Sequence, residues 1–271
     1  MTPKPNIVTI MQTRRGSSRL PDKVLMCVAG KPLFVQQAER IMASALHGTL
    51  VIATTTDSSD DLIEYICSRE GLNCYRGDPA DLVDRHYKAA LEYKADIAVK
   101  IPSDCPLISP EIIDSVLHYY LNNSNCYDFV SNLHPATYPD GNDVEVMTMQ
   151  ALKDAWLYAG RTFEREHTTP YIWEQPEKFR IGNVVMEGGE NLSMVHRWTI
   201  DYREDFDFIK KVFDELYSAN PLFSYKDILL LLEKRPDIYR INSQLAGVNW
   251  YRHHLDELKT ISADKTKILE Q

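Results

Sequence analysis

The chain has 271 residues, of which 44% are hydrophobic and 25% are charged, and its formal net charge is −9. Its length and composition suit one large globular domain, and its acidic balance argues against a nucleic-acid-binding protein, which would present a basic face. No stretch approaches the roughly 20 apolar residues that cross a bilayer, and the first residues do not resemble a signal peptide. Five cysteines without a CxxC pair favour reduced thiols. We therefore expect a cytoplasmic protein that binds neither nucleic acid nor membrane.

The first half of the sequence alternates short apolar runs, typical of buried strands, with amphipathic stretches, typical of helices. In chain order the pattern predicts strand 6–12, helix 33–45, strand 50–53, helix 60–70, strand 74–75, helix 81–94, strand 97–101 and helix 110–121. This alternation predicts an α/β fold with a mostly parallel sheet and helices on both faces. Ligands of such sheets bind beyond the carboxyl ends of the strands.

The pattern becomes less regular after about residue 122. Residues 134–141 are rich in turn formers, 143–148, 179–186 and 194–200 are strand candidates, and 203–216 and 225–234 are amphipathic helices. We interpret about 132–195 as a smaller mixed α/β lobe, for acceptor binding or dimer contact, inserted into a core of 1–131 and 196–259. These parts form a single domain of 1–259, and the polar residues 260–271 are predicted to be a frayed tail.

A basic loop, MQTRRGSSRLPDKVL at 11–25, directly follows the first predicted strand. A triphosphate needs several converging cations, which Arg14, Arg19 and Lys23 could supply. Small residues at 16–18 would let backbone N–H groups approach the phosphates closely. The loop contains neither a Walker A motif nor GxGxxG. A solvated loop with surface salt bridges is the alternative, but the position after the first strand favours phosphate binding.

Two aspartates are candidate ligands for a divalent metal. Asp104 follows the fourth predicted strand, and Asp201 ends the apolar stretch 195–201. One or two carboxylates suffice for Mg²⁺, which keeps several waters and binds phosphate oxygens. Capping of a turn or helix is the alternative role for each. Asp205 and Asp207 form a DxD sequence, but their place in the first turns of helix 203–216 predicts that both are solvated.

The basic loop, with GKPL at 30–33, resembles the signature of the cytidylyltransferases, in particular the spore-coat polysaccharide branch. The 3-deoxy-manno-octulosonate and acylneuraminate cytidylyltransferases are more distant relatives. Five further blocks fit in the expected order: RGDPADLVDRHYKAA at 76–90, KIPSDCPLISPEIID at 100–114, YPDGNDVEV at 138–146, REHTTPYI at 165–172 and RWTIDYREDF at 197–206. The resemblance implies a Rossmann-like, three-layer nucleotide-diphospho-sugar transferase fold and a homodimer. It also implies Mg²⁺-dependent transfer of CMP from CTP to a sugar acid or sugar-like anionic acceptor, for surface glycan or polysaccharide synthesis.

The resemblance also implies roles for individual residues. Nucleotide contacts fall on Gln12, Thr13, Arg14, Gly16, Ser17, Ser18, Arg19, Lys23, Arg76, Gly77 and Ser103. The catalytic set is Arg14, Arg19, Lys23 and Asp104, and the metal ligands are Asp104 and Asp201. Acceptor contacts fall on Glu145, Arg165, Glu166, His167 and Arg197.

The acceptor roles have alternatives. His167 could orient or deprotonate an acceptor hydroxyl, or be a structural histidine. Arg165 or Arg197 could pair with an acceptor carboxylate or phosphate, or brace the lobe or a dimer interface. Pro102-Ser103 and Lys100 depart from the family pattern, in which Thr with Gly or Ala and an Arg are usual, and Lys is a poorer bidentate clamp than Arg.

Three other functions remain as alternatives. One is a nucleotidyltransferase that uses another nucleotide with a sugar 1-phosphate or phosphonate. A metal-dependent glycosyltransferase would need only a diphosphate site, so the triphosphate-suited loop counts against it. A non-catalytic nucleotide-binding module is the third, and both candidate metal aspartates disfavour it. The main hypothesis requires that the basic loop, Asp104 and Asp201 share one cleft.

Overall fold

The computed structural model describes residues 4–268. Residues 1–3 of the predicted core and 269–271 of the predicted tail lie outside the described residues. The first half contains β1 Ile7–Gln12, β2 Cys27–Val28, β3 Lys31–Pro32, α1 Leu33–Met42, β4 Thr49–Thr55, α2 Asp61–Glu70, β5 Asn73–Gly77, α3 Leu82–Glu92, β6 Ile97–Lys100 and α4 Pro110–Asn122. The second half contains β7 Phe129–Ser131, β8 Glu145–Thr148, α5 Met149–Tyr158, α6 Thr162–His167, α7 Pro170–Trp173, β9 Ile181–Asn183, α8 Arg203–Leu216, α9 Tyr225–Lys234 and α10 Pro236–Tyr239.

Seven strands form one central sheet in the order β5-β4-β1-β6-β8-β7-β9, and β2 and β3 form a separate small hairpin. Strands β5, β4, β1 and β6 are parallel, β8 is antiparallel to both of its neighbours, and β9 is parallel to β7. The mostly parallel α/β fold predicted from the sequence is therefore confirmed.

The alternation of side chains along β1 explains the three layers. Val8 and Ile10 pack into a cluster with α3 and α5, whereas Met11 packs on the opposite face with α1, α2 and α4. All three side chains are fully buried, as expected for a parallel strand that is covered on both faces. Because β1 and β6 are parallel neighbours, their carboxyl ends lie at the same edge of the sheet, and the loops that follow them carry polar residues.

The predicted elements of the first half are present with bounds that differ by up to three residues, but the β2–β3 hairpin was not predicted. The second half differs more. Residues 194–200 form no strand, since their single bridge joins Arg197 to Asp140. Strand β7 and helices α5, α6, α7 and α10 were not predicted. The segment 132–195 joins the central sheet through β8, which pairs with β6, and β9, which pairs with β7. It is thus continuous with the core sheet rather than a separate layer.

The prediction of a frayed tail is wrong for 260–268. The backbone N–H groups of Lys259 and Thr260 donate to the Glu174 carboxylate at 2.6 and 2.9 Å, and Lys267 N donates to Gly247 O at 2.7 Å. Glu174 is itself buried, so these hydrogen bonds fix the segment to the body of the domain. Polar composition suggested solvent exposure, but the polar backbone is satisfied internally. Within 4–268 no helix is long and apolar enough to cross a membrane.

Candidate functional site

A cleft of about 780 Å³ lies at the carboxyl edge of the sheet. Its walls include Arg14, Arg19 and Lys23 from the loop after β1, and Asp104 and Asp201 from two other loops. Gln12, Thr13, Gly16, Ser17, Ser18 and Ser103 also line it. The structure therefore brings the cations of the basic loop and both candidate metal aspartates into one cleft, which the main hypothesis required.

The basic loop is braced from below by Arg15. Its guanidinium donates to Asp22 at 2.7 and 3.2 Å and to Ser59 O at 2.9 Å, while its backbone N–H donates to Asp60 at 2.9 Å. The hydrogen bond from Arg15 lowers the pKa of the Asp22 carboxyl. Asp22 itself has φ 58°, the left-handed conformation of a tight turn. Arg15 therefore forms its ion pair within the loop, whereas Arg14 and Arg19 line the cleft.

The ammonium of Lys23 lies between the two candidate metal ligands. Its Nζ is 3.0 Å from Asp201 Oδ1 and 3.9 Å from Asp104 Oδ2, and it donates to Ile200 O at 2.6 Å. Arg19 Nη2 donates to the same Asp201 oxygen at 2.7 Å. Burial opposes ionisation of Asp201, but the charges of Lys23, Arg19 and Arg197 outweigh burial and hold the pKa of its carboxyl below the usual value. The carboxylate pair therefore already attracts a cation.

Asp201 is held in place by two residues beneath the cleft. Arg197 Nη2 donates to Asp201 Oδ2 at 3.1 Å, and Asp205 Oδ2 accepts the backbone N–H groups of Asp201 and Tyr202 at 2.9 and 3.0 Å. Arg197 and Asp205 also pair with each other at 2.9 Å, fully buried. One oxygen of Asp201 is thus fixed from below, and Oδ1, the other, meets the loop cations.

This network corrects one prediction and bears on another. Asp205 is not solvated, since its side chain is completely buried against Arg197, whereas Asp207 is exposed as predicted. The donors of Arg197 are directed at Asp205, Asp201 and Val248 O, which agrees with the alternative that Arg197 has a bracing role. The DxD sequence therefore separates into one structural residue and one surface residue, because helix periodicity turns only Asp205 inward.

A smaller cavity of about 230 Å³ adjoins the cleft beside Asp104. Asp140, Asp143, Glu145 and Lys100 supply its charged lining, and His134, Trp173, Trp250 and Tyr251 supply an aromatic wall. Lys100 forms an ion pair with the buried Glu145, and Thr169 Oγ1 donates to the same carboxylate. The predicted acceptor residue Glu145 therefore lines the cavity with its charge already balanced.

Asp143 has no ion-pair partner within 4 Å among residues 4–268. Burial, with added repulsion from Asp104 and Glu145, raises the pKa of its carboxyl to about 7. A carboxyl with such a pKa can accept a proton near neutral pH. Asp143 is therefore a candidate general base that the sequence analysis did not identify.

His167 and Glu166 line both the cleft and the smaller cavity. The His167 ring stacks on Trp250 with centroids 3.9 Å apart. Burial, followed by the charge of Lys100, lowers the pKa of His167 to about 3, so its imidazole is neutral at neutral pH. Arg165 lines neither space and forms an ion pair with Asp81 at 3.3 Å, which agrees with the alternative that it has a bracing role.

Arg76 and Gly77, predicted to contact the nucleotide, also lie outside both spaces. The Arg76 side chain turns toward α2, where it pairs with Asp61 at 2.7 Å and Glu64 at 2.8 Å. A Cβ on Gly77 would lie 3.0 Å from the Arg85 side chain, so the glycine makes room for that residue. Arg76 and Gly77 therefore do not line the cleft that the other predicted nucleotide contacts share.

Arg85, which lies on α3, is the arginine of the sequence block 76–90 that lines the cleft. It is buried on α3, and its guanidinium donates to Asp78 O at 3.1 and 2.8 Å and to Pro79 O at 3.1 Å. Its Nη1 has no partner within the described part of the chain. Arg85 shares the inward face of α3 with Val83 and Ala89. Arg85 was not predicted as a site residue, although a charged residue on an apolar helix face is a sequence signal that could have identified it.

Trp250, Arg252, His253 and His254 complete the cleft wall from the C-terminal part of the chain. The sequence analysis did not place this segment at the site. No local pattern marks a segment whose position depends on contacts more than 80 residues away, such as Lys259 with Glu174.

The donor set fits magnesium. Asp104 and Asp201 Oδ1 present hard carboxylate oxygens, and the ammonium of Lys23 within 3.9 Å of both shows that the position favours a cation. Among residues 4–268 no three His, Cys, Asp or Glu side chains converge as a metal cage. A magnesium ion would therefore be completed by phosphate oxygens and water rather than by further protein ligands.

Comparison with known proteins agrees with the architecture. The sequence model of a family described as Cytidylyltransferase matches residues 8–240. Spore coat polysaccharide biosynthesis protein SpsF of Bacillus subtilis is 29% identical over 86% of this chain and 96% of the relative. A 3-deoxy-manno-octulosonate cytidylyltransferase of Pelobacter propionicus is 33% identical over 63% of this chain and 75% of the relative. The solved structure of a cytidylyltransferase from Leptospira borgpetersenii has a TM-score of 0.82 and 31% identity, over 87% of this chain and 97% of the other.

Proposed function

This chain belongs to the cytidylyltransferase family of nucleotidyltransferases, and from that premise we propose that it transfers CMP from CTP to a sugar acid or sugar-like anionic acceptor. Pyrophosphate is the second product, and the sugar nucleotide enters surface glycan or polysaccharide synthesis. One observation carries the proposal: the cations of the basic loop and the carboxylates of Asp104 and Asp201 line the same cleft. The cytoplasmic location and the homodimer stay predictions from the sequence.

The triphosphate lies against the basic loop. Arg14, Arg19 and Lys23 attract its phosphates, and the small residues 16–18 allow backbone N–H groups to approach them. Arg19 and Lys23 exchange the Asp201 carboxylate for phosphate oxygens when the nucleotide binds. Their charges then stabilise the pyrophosphate as it leaves.

Arg85 and the turn before α3 select cytosine. The Nη1 of Arg85, which has no hydrogen-bond partner among residues 4–268, can donate to the cytosine N3, which is an acceptor. The carbonyl groups of Pro79 and Ala80, at the same wall of the cleft, can accept from the cytosine amino group. Uracil presents N3–H and O4 in these positions, so it would leave a donor facing a donor and an acceptor facing an acceptor.

Asp104 and Asp201 would hold magnesium. When bound, the ion neutralises negative charge that develops on the α-phosphate. The acceptor occupies the smaller cavity, where its oxygen forms a bond to the α-phosphorus as the bond from the α-phosphorus to the bridging oxygen of pyrophosphate breaks. Pyrophosphate takes the electron pair of that bond, and Asp143 takes the proton of the acceptor hydroxyl.

Ligand-induced stabilisation tests the proposal. CTP with Mg²⁺ should raise the midpoint of thermal unfolding more than UTP, ATP or GTP with Mg²⁺, because a ligand that binds the folded state shifts the unfolding equilibrium. CTP and Mg²⁺ should then release pyrophosphate in the presence of acidic sugars. Asp104→Asn should abolish this release and leave the unfolding midpoint without ligand unchanged.

Asp207→Asn, which alters an exposed aspartate outside the cleft, is the matched control and should react at the wild-type rate. Equal stabilisation by UTP would contradict the choice of base and favour the alternative of another nucleotide. Stabilisation by CTP without pyrophosphate release from any sugar acid, sugar phosphate or phosphonate would favour the non-catalytic binding module.

A further inference from the structure

The C-terminal part of the chain forms one wall of the nucleotide cleft although it lies beyond the residues that match the family, 8–240. We call residues 247–268 the C-terminal strap. Trp250, Arg252, His253 and His254 of the strap face the cleft together with Arg19 and Asp201. The strap is therefore a part of this site that membership of the family does not explain.

The strap is fixed at several points, which makes its position over the cleft a defined feature of the fold. Glu174 accepts the N–H groups of Lys259 and Thr260, and Glu257 O accepts from Arg161 Nη1 at 3.1 Å. Trp250 packs between the rings of His167, 3.9 Å away, and Tyr251, 4.7 Å away. A segment that is hydrogen-bonded to the rest of the domain and packed through its aromatic rings presents its side chains to the cleft at low entropic cost.

Arg252 differs from the other basic groups at this end of the cleft. Lys23 and Arg19 both pair with Asp201, whereas Arg252 has no carboxylate within 4 Å in the part of the chain that the structure describes. Its Nη2 donates to Tyr202 Oη at 3.2 Å and its Nε to His253 Nε2 at 3.1 Å. Its Nη1 is buried and, within 4–268, has no hydrogen-bond partner. The guanidinium is oriented by neutral groups while its charge remains uncompensated.

Tyr202 places Arg252 beside the basic loop. The guanidinium of Arg19 lies 5.6 Å from the centre of the Tyr202 ring, and Arg252 donates to the hydroxyl of the same residue. Two cations from segments more than 200 residues apart therefore meet at one tyrosine. Like charges placed together in a cleft raise the local attraction for an anion.

We propose that Arg252 binds an anionic oxygen of the ligand, either a phosphate of the nucleotide or the acidic group of the acceptor, so that the C-terminal strap completes the site. This inference rests on the proposed function for the identity of the two anions. An anionic oxygen would compensate the charge of Arg252 and give its Nη1 a partner, and hydrogen bonds to charged groups are among the stronger ones in proteins. Arg165 and Arg197 are engaged elsewhere, whereas Arg252, like Arg14, has no carboxylate partner among residues 4–268.

Calorimetric titration of Arg252→Ala and Arg252→Lys tests the inference. The probes are CTP, CMP and pyrophosphate, each with Mg²⁺, and 3-deoxy-manno-octulosonate in the presence of CMP and Mg²⁺. If Arg252 holds the outer phosphates, Arg252→Ala weakens CTP and pyrophosphate binding about 10- to 100-fold and leaves CMP binding unchanged. If Arg252 holds the acidic group of the acceptor, the same variant weakens binding of the sugar acid and leaves CTP binding unchanged. Arg252→Lys restores part of the lost affinity in either case.

Arg203→Ala is the matched control, because Arg203 is exposed, pairs with Asp207 and lies outside the cleft. Unfolding midpoints of all variants without ligand show whether the strap stays folded. Wild-type affinity of Arg252→Ala for all four probes would overturn the inference, as would a loss that Arg203→Ala reproduces. Failure of the wild-type protein to bind CTP would instead contradict the proposed function, so the two failures are distinguishable.

Discussion

The basic loop and the region around Arg197 both concentrate charge near Asp201, but they use it differently. Arg19 and Lys23 meet Asp201 at the cleft surface, with 39% and 12% of their side chains exposed, so ligand oxygens can replace the carboxylate. Arg197 and Asp205 are 1% and 0% exposed and bind each other and nearby backbone. Charges at the cleft surface can exchange partners with a ligand, whereas buried charges hold one arrangement. Position relative to solvent, rather than residue type, separates the binding residues from the positioning residues.

Arg197→Leu tests the buried charges and should lower the free energy of unfolding. The substitution leaves the Asp205 carboxylate buried without its cation, and loss of one partner of a buried pair costs about 3–5 kcal/mol. The free energy of unfolding in urea measures the loss. Arg203→Leu, which removes an exposed partner of Asp207, should cost less than about 1 kcal/mol. Equal losses in the two variants would show that the Arg197 network does not stabilise the fold.

Arg19→Ala tests the charges at the cleft surface and should lower turnover without lowering stability much. Loss of a cation that stabilises the leaving pyrophosphate should lower turnover about 100-fold, whereas the free energy of unfolding should change by less than about 1 kcal/mol. Initial rates of pyrophosphate release and urea denaturation measure the two quantities. A near-normal rate, or a loss of stability as large as that of Arg197→Leu, would place Arg19 with the buried residues.

Asp143→Asn should change how stability depends on pH. Because folding raises the pKa of Asp143 to about 7 from 3.8, the stability that its protonated form confers is present below about pH 4 and is lost as pH rises through 7. The asparagine stays neutral, so without magnesium and nucleotide the variant should gain on the order of 2 kcal/mol relative to wild type between pH 5 and pH 8.

Urea denaturation of both proteins at the two pH values measures this gain, and turnover of the variant should fall because the proton acceptor is lost. Asp140 shares the cavity and also carries a raised pKa, so Asp140→Asn provides a second carboxylate for comparison. Parallel pH dependence of wild type and Asp143→Asn would show that Asp143 is already ionised in the folded protein at pH 5.

Arg76→Ala should have the smallest effect. Its guanidinium pairs with Asp61 and Glu64 on the far side of β5, where both carboxylates are largely exposed, so its loss should cost less than about 1 kcal/mol. The KM for CTP should change less than about twofold, while Arg85→Ala, with the same charge change in the same sequence block, should raise it at least tenfold. Steady-state kinetics with CTP as the varied substrate measures both values. A larger effect of Arg76→Ala would restore the original prediction.

Sequence reasoning succeeded where chemistry and position were both local. The loop after β1 and Asp104 after β6 could be placed because the ends of neighbouring parallel strands meet at one edge, which fixes loop positions without knowledge of side-chain partners. Asp201 follows no strand, and its role was implied by the family resemblance. The order of strands and helices in the first half could also be predicted, because hydrophobic periodicity is a local property of the sequence.

It failed where a side chain's role depends on distant partners. Arg76 and Arg85 stand nine positions apart in one motif, and only the facing of β5 and α3 decides which of them reaches the cleft. The sequence alone does not show that the guanidinium of Arg197 donates to Asp205 and Val248 O, which leaves it fewer donors for a ligand. Arg252 lies in a segment that has no periodic pattern and is held by long-range hydrogen bonds. Long-range packing decides such cases, and a single sequence does not encode it in any local period.

The resting contacts of Arg19 and Lys23 with Asp201 also govern how nucleotide binding responds to ionic strength. Because both cations face an anion before the ligand arrives, the triphosphate replaces existing ion pairs rather than neutralising bare charges. Dissolved salt screens the old pairs as well as the new ones. Only cations that lack a resting counter-ion, such as Arg14, whose guanidinium faces Pro79 O at 3.4 Å, gain a wholly new pair. We therefore expect the affinity for CTP to fall with added salt less steeply than a simple count of basic groups in the cleft would suggest.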